Sequence, residues 1–155
     1  MSNEEGSIST EVKGHLFLIG FNRPEKYNGF TPTMAEQLVA ALTHLDETDE
    51  LRVGIIFGHG DHFTAGLDLP KWTDGMEEGI AGDGEAIDMC GLHRACRKPI
   101  ITAAHGISFT LGIEVALGGD IVIAADNCRF SQLEPARGIM ATGGATARFV
   151  ERGGW

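Results

Sequence analysis

Two glutamates, Glu114 and Glu134, each adjoin glycine-rich or turn-rich chain and are candidates for acid–base chemistry. A third segment, residues 58–69, is also glycine-rich and reads GHGDHFTAGLDL. Proton transfer to and from carbon needs an acid, a base and donors for the charge that builds on a carbonyl oxygen. The three segments together predict a paired-carboxylate site beside backbone amides that can hold an oxyanion.

The surroundings of each glutamate bear on whether it is functional. Apolar residues on both sides of Glu114, among them Ile113 and Val115, predict a buried segment. Because burying a carboxylate is costly, we favour a function for Glu114 over an ordinary exposed position. Glu134 precedes Pro135, which restricts its backbone to extended or turn geometry. For Glu134 the alternative interpretation is an exposed loop residue.

The elements that must position these residues follow from hydrophobic spacing. Thr31 predicts a helix N-cap with Pro32 at the first helical position, and that helix should run to about Asp46. Apolar residues three and four apart predict its buried stripe, which consists of Met34, Leu38, Ala41, Leu42 and Leu45. Further helices are predicted at residues 86–97 and 111–117, with another that could begin within residues 142–150.

Short apolar runs between these helices predict strands. They are residues 15–21, 52–57, 99–104 and 120–125, with a brief extension at 128–131. The run at 52–57 is nearly continuous in apolar character, so we expect it to be covered on both faces. The glycine-rich, acidic stretch from Lys71 to Glu85 is expected to form a mobile loop or a short irregular helix. The alternation of strands and helices predicts an α/β fold.

Length and composition limit the classes of protein that fit. The 155 residues suit one domain, residues 1–155, and the Gly-Gly-Trp ending looks like that of a truncated domain. The net charge of −10 argues against a nucleic-acid-binding surface. A polar, acidic beginning without an apolar run of about 18 residues predicts a cytoplasmic protein with no membrane partner.

Cysteines and histidines give little support to a disulfide framework or a metal site. Cysteine occurs three times, an odd number, and we expect reduced thiols at Cys90, Cys96 and Cys128. Three histidines and an aspartate lie in turn-rich segments, but their spacing matches no common metal site; they are His59, Asp61, His62 and His105. No metal is therefore expected.

Three motifs resemble those of the crotonase (enoyl-CoA hydratase/isomerase) family. The first is FNRPEKYN at 21–28, and the second is the segment 58–69 that ends in FTAGLDL. The third comprises AHGISFTLGIEVA at 104–116, GDIVIAAD at 119–126 and FSQLE at 130–134. Each motif is weak alone, but their order and spacing are specific, and the similarity runs from about residue 8 to the last residue. The resemblance implies a ClpP-like spiral of repeated β-β-α turns whose C-terminal helical part is absent here.

The family resemblance also implies roles for the glutamates. Crotonases bind acyl-CoA thioesters and hold an enolate with two backbone amides, which by motif position are those of Leu67 and Leu111. A helix start near Leu111 agrees with this, because the first N–H groups of a helix are unpaired. Glu114 would help activate a water and Glu134 would supply the proton that reaches the α-carbon. The implied activity is that of a lyase of fatty acid metabolism that hydrates a 2-enoyl-CoA to a 3-hydroxyacyl-CoA.

Substrate contacts and assembly are implied by the same resemblance. Arg23 and Lys26 of the first motif could approach the nucleotide, and the Ala65 carbonyl could accept from the adenine amino group. Gly66, Asp68 and Leu69 belong to the same substrate-binding segment, although bracing of the turn is the favoured role for Asp68. Coenzyme A is part of the substrate, so no separate cofactor is expected. A homotrimer or a dimer of trimers is the implied assembly.

Departures from the family pattern keep other activities open. Thr110-Leu-Gly112 replaces a run of three glycines, and Leu133 stands where proline is common. The alternatives on the same scaffold are enoyl-CoA isomerase, thioester hydrolase, decarboxylase and retro-Claisen hydrolase. A non-catalytic acyl-CoA-binding protein is the alternative from a different class.

Overall fold

The computed structural model describes residues 4–72 and 86–154. Within these ranges the chain forms seven strands, three α-helices and three short 3₁₀ helices. The strands are β1 (Ser7–Lys13), β2 (Leu16–Asn22), β3 (Val53–Gly58), β4 (Ile100–Ala104), β5 (Ile107–Phe109), β6 (Ile121–Ala124) and β7 (Arg129–Ser131). The helices are α1 (Pro32–Glu47), α2 (Leu111–Gly118) and α3 (Ala145–Gly153). None of these helices is long and apolar enough to cross a membrane.

A five-stranded sheet organises the fold, with the strand order β1-β2-β3-β4-β6. β1 is antiparallel to β2, and the other neighbours are parallel. β5 and β7 form a second, two-stranded parallel sheet. Because β2, β3, β4 and β6 run in the same direction, their carboxyl ends meet at one edge of the sheet. Residues 58–69 follow β3 at this edge, which is where α/β proteins commonly bind ligands. The start of α2 follows β5, which comes shortly after β4 in the chain and belongs to the two-stranded sheet.

Helix α1 begins and packs as its sequence predicts. Thr31 is the N-cap and its hydroxyl accepts a hydrogen bond from the Met34 N–H at 3.3 Å. Pro32 occupies the first helical position, where its missing N–H costs nothing. The five residues of the predicted apolar stripe are all buried, so α1 covers the sheet with one continuous face.

The predicted helix at 86–97 is wrong, because this segment consists of turns and bends. The Asp88 carboxylate accepts from the N–H groups of Cys90 at 2.7 Å and Leu92 at 3.0 Å. Such short-range bonds offer the backbone an alternative to a helical ladder. Gly91 then has a φ of +64°, a left-handed conformation that interrupts any helix.

Other expectations about secondary structure have mixed outcomes. The predicted strands correspond to β2, β3, β4, β6 and β7, whereas β1 and β5 were not predicted. β3 buries Gly54 and Ile56 on one face but only partly covers Ile55 on the other, which corrects the expectation of two covered faces. Most of the loop expected from Lys71 to Glu85 lies outside the described residues.

Candidate active site

A cavity of about 560 Å³ lies where the segments after β3 and β5 meet the residues after β7. Its lining is mainly apolar, with a few charged groups. The candidate residues that reach it are Ala65, Leu67, Leu69, Leu111, Glu114 and Glu134. The structure therefore brings both candidate carboxylates and both candidate amide donors to one cavity.

Glu114 lies on α2 and is 4% exposed. Its Oε1 accepts a hydrogen bond from the Ala145 N–H at 3.4 Å, and the Gly143 N–H also donates to this carboxylate. Burial raises the pKa of Glu114 and the nearby charge of Glu134 adds to the rise, while the two backbone donors and Arg148 oppose it. The result is a buried carboxylate with a raised pKa, held by main-chain groups at the start of α3.

The close fit around Glu114 depends on glycine at position 143. A Cβ built on Gly143 would lie 2.6 Å from the carboxyl carbon of Glu114 and 2.9 Å from Cys90 Sγ. Real Cβ atoms essentially never come this close to another atom, so a side chain at position 143 would displace the carboxylate. Gly143 is thus required by close approach.

Glu134 begins the 3₁₀ helix Glu134–Arg137 and is 8% exposed. Its Oε1 accepts from Gln132 Nε2 at 3.2 Å. Its Oε2 is buried and has no hydrogen-bond partner anywhere in residues 4–72 and 86–154. A buried carboxylate oxygen without a donor is costly, and a catalytic role is one of the reasons for which proteins keep such a group.

The two candidate amide donors are unpaired and close together. In the part of the chain that the structure describes, the N–H groups of Leu67 and Leu111 donate to no protein acceptor. Leu111 is the first residue of α2, so its N–H has no intrahelical partner. Gly66 and Thr110, the residues immediately before them, are in direct contact, because a Cβ at Gly66 would overlap Thr110 Oγ1. Two free donors therefore border the same cavity.

Thr110 turns the chain sharply into α2. Its φ of 48° and ψ of −113° are unusual for a residue with a side chain. Such strained conformations cost of order 1–3 kcal/mol and cluster at functional sites. The Thr110 N–H is anchored to the Ser131 carbonyl at 3.0 Å, which ties the turn to β7. The turn carries the first of the three positions where the family pattern has glycine.

Arg23 and Asp68, two residues of the proposed substrate-binding set, bind each other and do not line the cavity. Arg23 Nη1 lies 2.7 Å from Asp68 Oδ2 and also donates to the Gly29 carbonyl at 2.9 Å. Arg23 is 4% exposed, so its guanidinium is enclosed by protein. Asp68 thus braces the turn, the role favoured for it from the sequence. Lys26 is exposed and is not part of the cavity lining.

Several lining residues were not identified from the sequence. Asp88 and Cys90 reach the cavity from the segment wrongly expected to be a helix. Arg137 lies three residues after Glu134 in the same 3₁₀ helix. Residues at this spacing lie on the same side of a 3₁₀ helix, so Arg137 reaches the same cavity as Glu134. Burial, followed by the charge of Glu114, raises the pKa of the Cys90 thiol well above its usual range.

The cysteines and the possible metal-binding side chains are arranged as follows. Cys90, Cys96 and Cys128 are free thiols. Among residues 4–72 and 86–154, no group of three or more His, Cys, Asp or Glu side chains could hold a metal ion. The cavity's polar groups are therefore carboxylates, backbone donors, a few side-chain hydroxyl and thiol groups and one guanidinium.

The chain matches the enoyl-CoA hydratase/isomerase family over residues 11–154 and belongs to that family. It is 37% identical over 147 residues to a mevalonyl-coenzyme A hydratase of Aspergillus fumigatus, covering 94% of this chain and 54% of that protein. It is 30% identical to an enoyl-CoA hydratase of Mycobacterium tuberculosis, covering 92% and 55%. The chain spans about half the length of these curated relatives.

A solved structure confirms the predicted crotonase fold. The chain superimposes on a probable enoyl-CoA hydratase/isomerase from Mycobacterium abscessus with a TM-score of 0.90 and 41% identity. The match covers 96% of this chain and 58% of that one. The resemblance inferred from the three motifs is therefore correct at the level of family and fold.

Proposed function

We propose that the protein adds water to a 2-enoyl-CoA thioester and forms the 3-hydroxyacyl-CoA. The observation that carries this proposal is that Glu114 and Glu134 share one cavity with the unpaired N–H groups of Leu67 and Leu111. Membership of the enoyl-CoA hydratase/isomerase family and the hydratase names of similar proteins support it.

In the proposed reaction the thioester carbonyl oxygen lies against the N–H groups of Leu67 and Leu111. The oxygen of a water bonds to C3 while Glu114 accepts one of its protons. The double-bond electrons move toward the carbonyl, and the two N–H groups stabilise the resulting enolate oxygen. Glu134 then gives a proton to C2 as the carbonyl re-forms. The substrate thus gains H and OH across the double bond, and exchange of protons with solvent then returns Glu114 to its ionised form and Glu134 to its protonated form.

The environments of the two carboxyls support this division of labour. Because burial raises the pKa of Glu114, its ionised form is a stronger base than an exposed carboxylate. Glu134 has a buried oxygen without a protein donor, and that oxygen is free to contact C2 of a bound thioester. General acid–base help is worth about 10²–10⁴-fold, and one oxyanion donor about 10²–10³-fold.

A direct test uses the full-length protein and crotonyl-CoA. The absorbance of the conjugated thioester should fall, and mass spectrometry should detect 3-hydroxybutyryl-CoA. The double variant Glu114→Gln with Glu134→Gln should lose turnover, whereas Glu151→Gln, on an exposed position of α3, should retain it. Unchanged turnover in the double variant would rule the mechanism out.

A panel of thioesters separates this reaction from others on the same scaffold. Conversion of a 3-enoyl-CoA to a 2-enoyl-CoA without water addition would reassign the site to isomerisation. Release of free acid, CO₂ or a shortened acyl chain would indicate hydrolase, decarboxylase or retro-Claisen chemistry. Binding of CoA without turnover of any thioester would favour a non-catalytic role. The homotrimer and the cytoplasmic location stay predictions from the sequence.

A further inference from the structure

Arg137 is the only cationic residue among the described residues that line the cavity. The other charged residues of that lining are Asp88, Glu114 and Glu134. Side chains three residues apart eclipse each other in a 3₁₀ helix, so Arg137 extends from the same side of the helix as Glu134. A single guanidinium thus lines a cavity whose other charged groups are all acidic.

The guanidinium of Arg137 also lacks a protein partner. Across residues 4–72 and 86–154 it makes no hydrogen bond or ion pair. Arg97, in contrast, binds the Asp46 carboxylate at 3.0 Å, and Arg148 binds the carbonyl of Gly91 at 2.8 Å. Those arginines hold segments of the fold together, whereas Arg137 is exposed and its donors are available to solvent or to a ligand in the cavity.

The negative net charge of the chain makes a cation at the cavity important for binding an anionic ligand. The chain carries a net charge of −10, so an anionic ligand must be attracted by local cations. Of the two cations that the family resemblance suggested, Arg23 is enclosed and paired with Asp68, and Lys26 lies outside the cavity lining. The planar guanidinium fork suits the bidentate recognition of carboxylate or phosphate oxygens.

We propose that Arg137 binds an anionic oxygen group of the ligand in this cavity. That group is either a carboxylate on the acyl chain or a phosphate of coenzyme A, and both present the same pair of acceptor oxygens. The inference rests on the proposed function in taking the ligand to be an acyl thioester. It adds that the site discriminates by charge through one residue outside the proposed acid–base pair.

Binding measured by calorimetry tests the proposal independently of turnover. Four ligands separate the two sources of charge: glutaryl-CoA, butyryl-CoA, glutaryl-pantetheine and butyryl-pantetheine. Each is titrated into the full-length wild type, Arg137→Gln, the charge-preserving Arg137→Lys, and the control Arg129→Gln. Arg129 is exposed on β7 and lies outside the cavity lining.

We expect Arg137→Gln to weaken binding of the anionic ligand roughly 10- to 100-fold, the range for losing a charged hydrogen bond. Arg137→Lys should bind with intermediate affinity, and Arg129→Gln should bind like the wild type. A loss confined to the two glutaryl ligands assigns the anion to the acyl carboxylate. A loss confined to the two CoA ligands assigns it to the phosphates.

The inference is overturned if Arg137→Gln binds all four ligands as the wild type does. It is also overturned if the wild type binds none of them. If the wild type binds with the expected dependence on Arg137 but turns over no thioester, the hydratase proposal fails while the anion site stands. The two failures are therefore distinguishable.

Discussion

The two glutamates of the cavity have the same chemistry but different surroundings. Glu114 extends from an α-helix and is held by two backbone N–H groups at the start of another helix. Glu134 extends from a single 3₁₀ turn, where one oxygen accepts from a side chain and the other has no partner in the described chain. The Glu114 carboxylate is held by main-chain donors, whereas one oxygen of Glu134 can still accept a hydrogen bond.

This difference suggests how one fold can assign two roles to the same residue type. Backbone N–H groups do not move when side chains change rotamer. They therefore hold the Glu114 carboxylate in one orientation in the cavity. The unpaired oxygen of Glu134 is free to contact a ligand atom. Environments that treat two carboxyls unequally are the usual basis for separate acid and base roles. The contrast can be tested by disturbing the support of Glu114.

Among changes to the residues that support the site, the largest effect should come from disturbing the support of Glu114 without changing Glu114 itself. Gly143→Ala places a Cβ where the carboxyl group now lies, so the carboxylate must move. Displacing a reacting group by about 1 Å can cost about 10²-fold in rate, and we expect a loss of kcat of that order.

The matched control for this prediction is Gly153→Ala. A Cβ at Gly153 meets no atom within 4 Å, so kcat should stay unchanged in this variant. Equal kcat in Gly143→Ala and the wild type, measured with crotonyl-CoA, would show that Glu114 does not need its present position.

A second test measures how the buried Glu114 carboxyl changes the stability of the protein with pH. Its pKa is raised in the fold, so the stability that it contributes is fully present below the unfolded pKa and is lost as pH rises through the folded pKa. Glu114→Gln removes this loss. We therefore expect the variant to have a higher Tm than the wild type at pH 8, with the gap narrowing toward pH 4.

Calorimetric scans at several pH values check this prediction, with Glu151→Gln as the exposed control. The control should follow the wild type at every pH. A difference in Tm between Glu114→Gln and the wild type that grows on acidification would contradict the raised pKa.

The smallest expected effect concerns the turn that aims α2. Thr110→Gly keeps the positive φ at no steric cost, and relief of strain worth about 1–3 kcal/mol exceeds the glycine entropy cost of about 0.5–1 kcal/mol. We expect a gain in unfolding free energy of roughly 1 kcal/mol in denaturant titrations. Thr146→Gly, at an exposed position inside α3, should instead destabilise the protein, because glycine is a poor helix former. Destabilisation by both variants would mean that Thr110 is not strained.

Sequence patterns predicted the parts of the fold that local chemistry determines. Thr31 and Pro32 define the start of α1 by themselves, because capping and a fixed φ act within a few residues. Residues 86–97 have a helical pattern as well, but the Asp88 carboxylate and the left-handed Gly91 favour turns. β1 is a mostly polar edge strand that exists through its pairing with β2, so its own residues gave little indication of it.

The two glutamates of the candidate site could be predicted from the sequence, whereas the partners of the nearby arginines could not. Glu114 and Glu134 could be recognised by residue type and motif, and both reach the same cavity. The position of the Arg23 side chain could not be predicted, because Arg23 pairs with Asp68, which lies 45 positions away in the sequence. The unpaired state of Arg137 is likewise a property of the folded molecule.

The most direct test of the paired-carboxylate mechanism compares kcat for Glu114→Gln, Glu134→Gln and the double variant on crotonyl-CoA. If both carboxyls act on one substrate in one reaction, each single variant should lose about 10²–10⁴-fold. The double variant should then lose less than the product of the two single losses, because residues that act as a unit are not additive. Single variants that each retain kcat within twofold of the wild type would contradict the account.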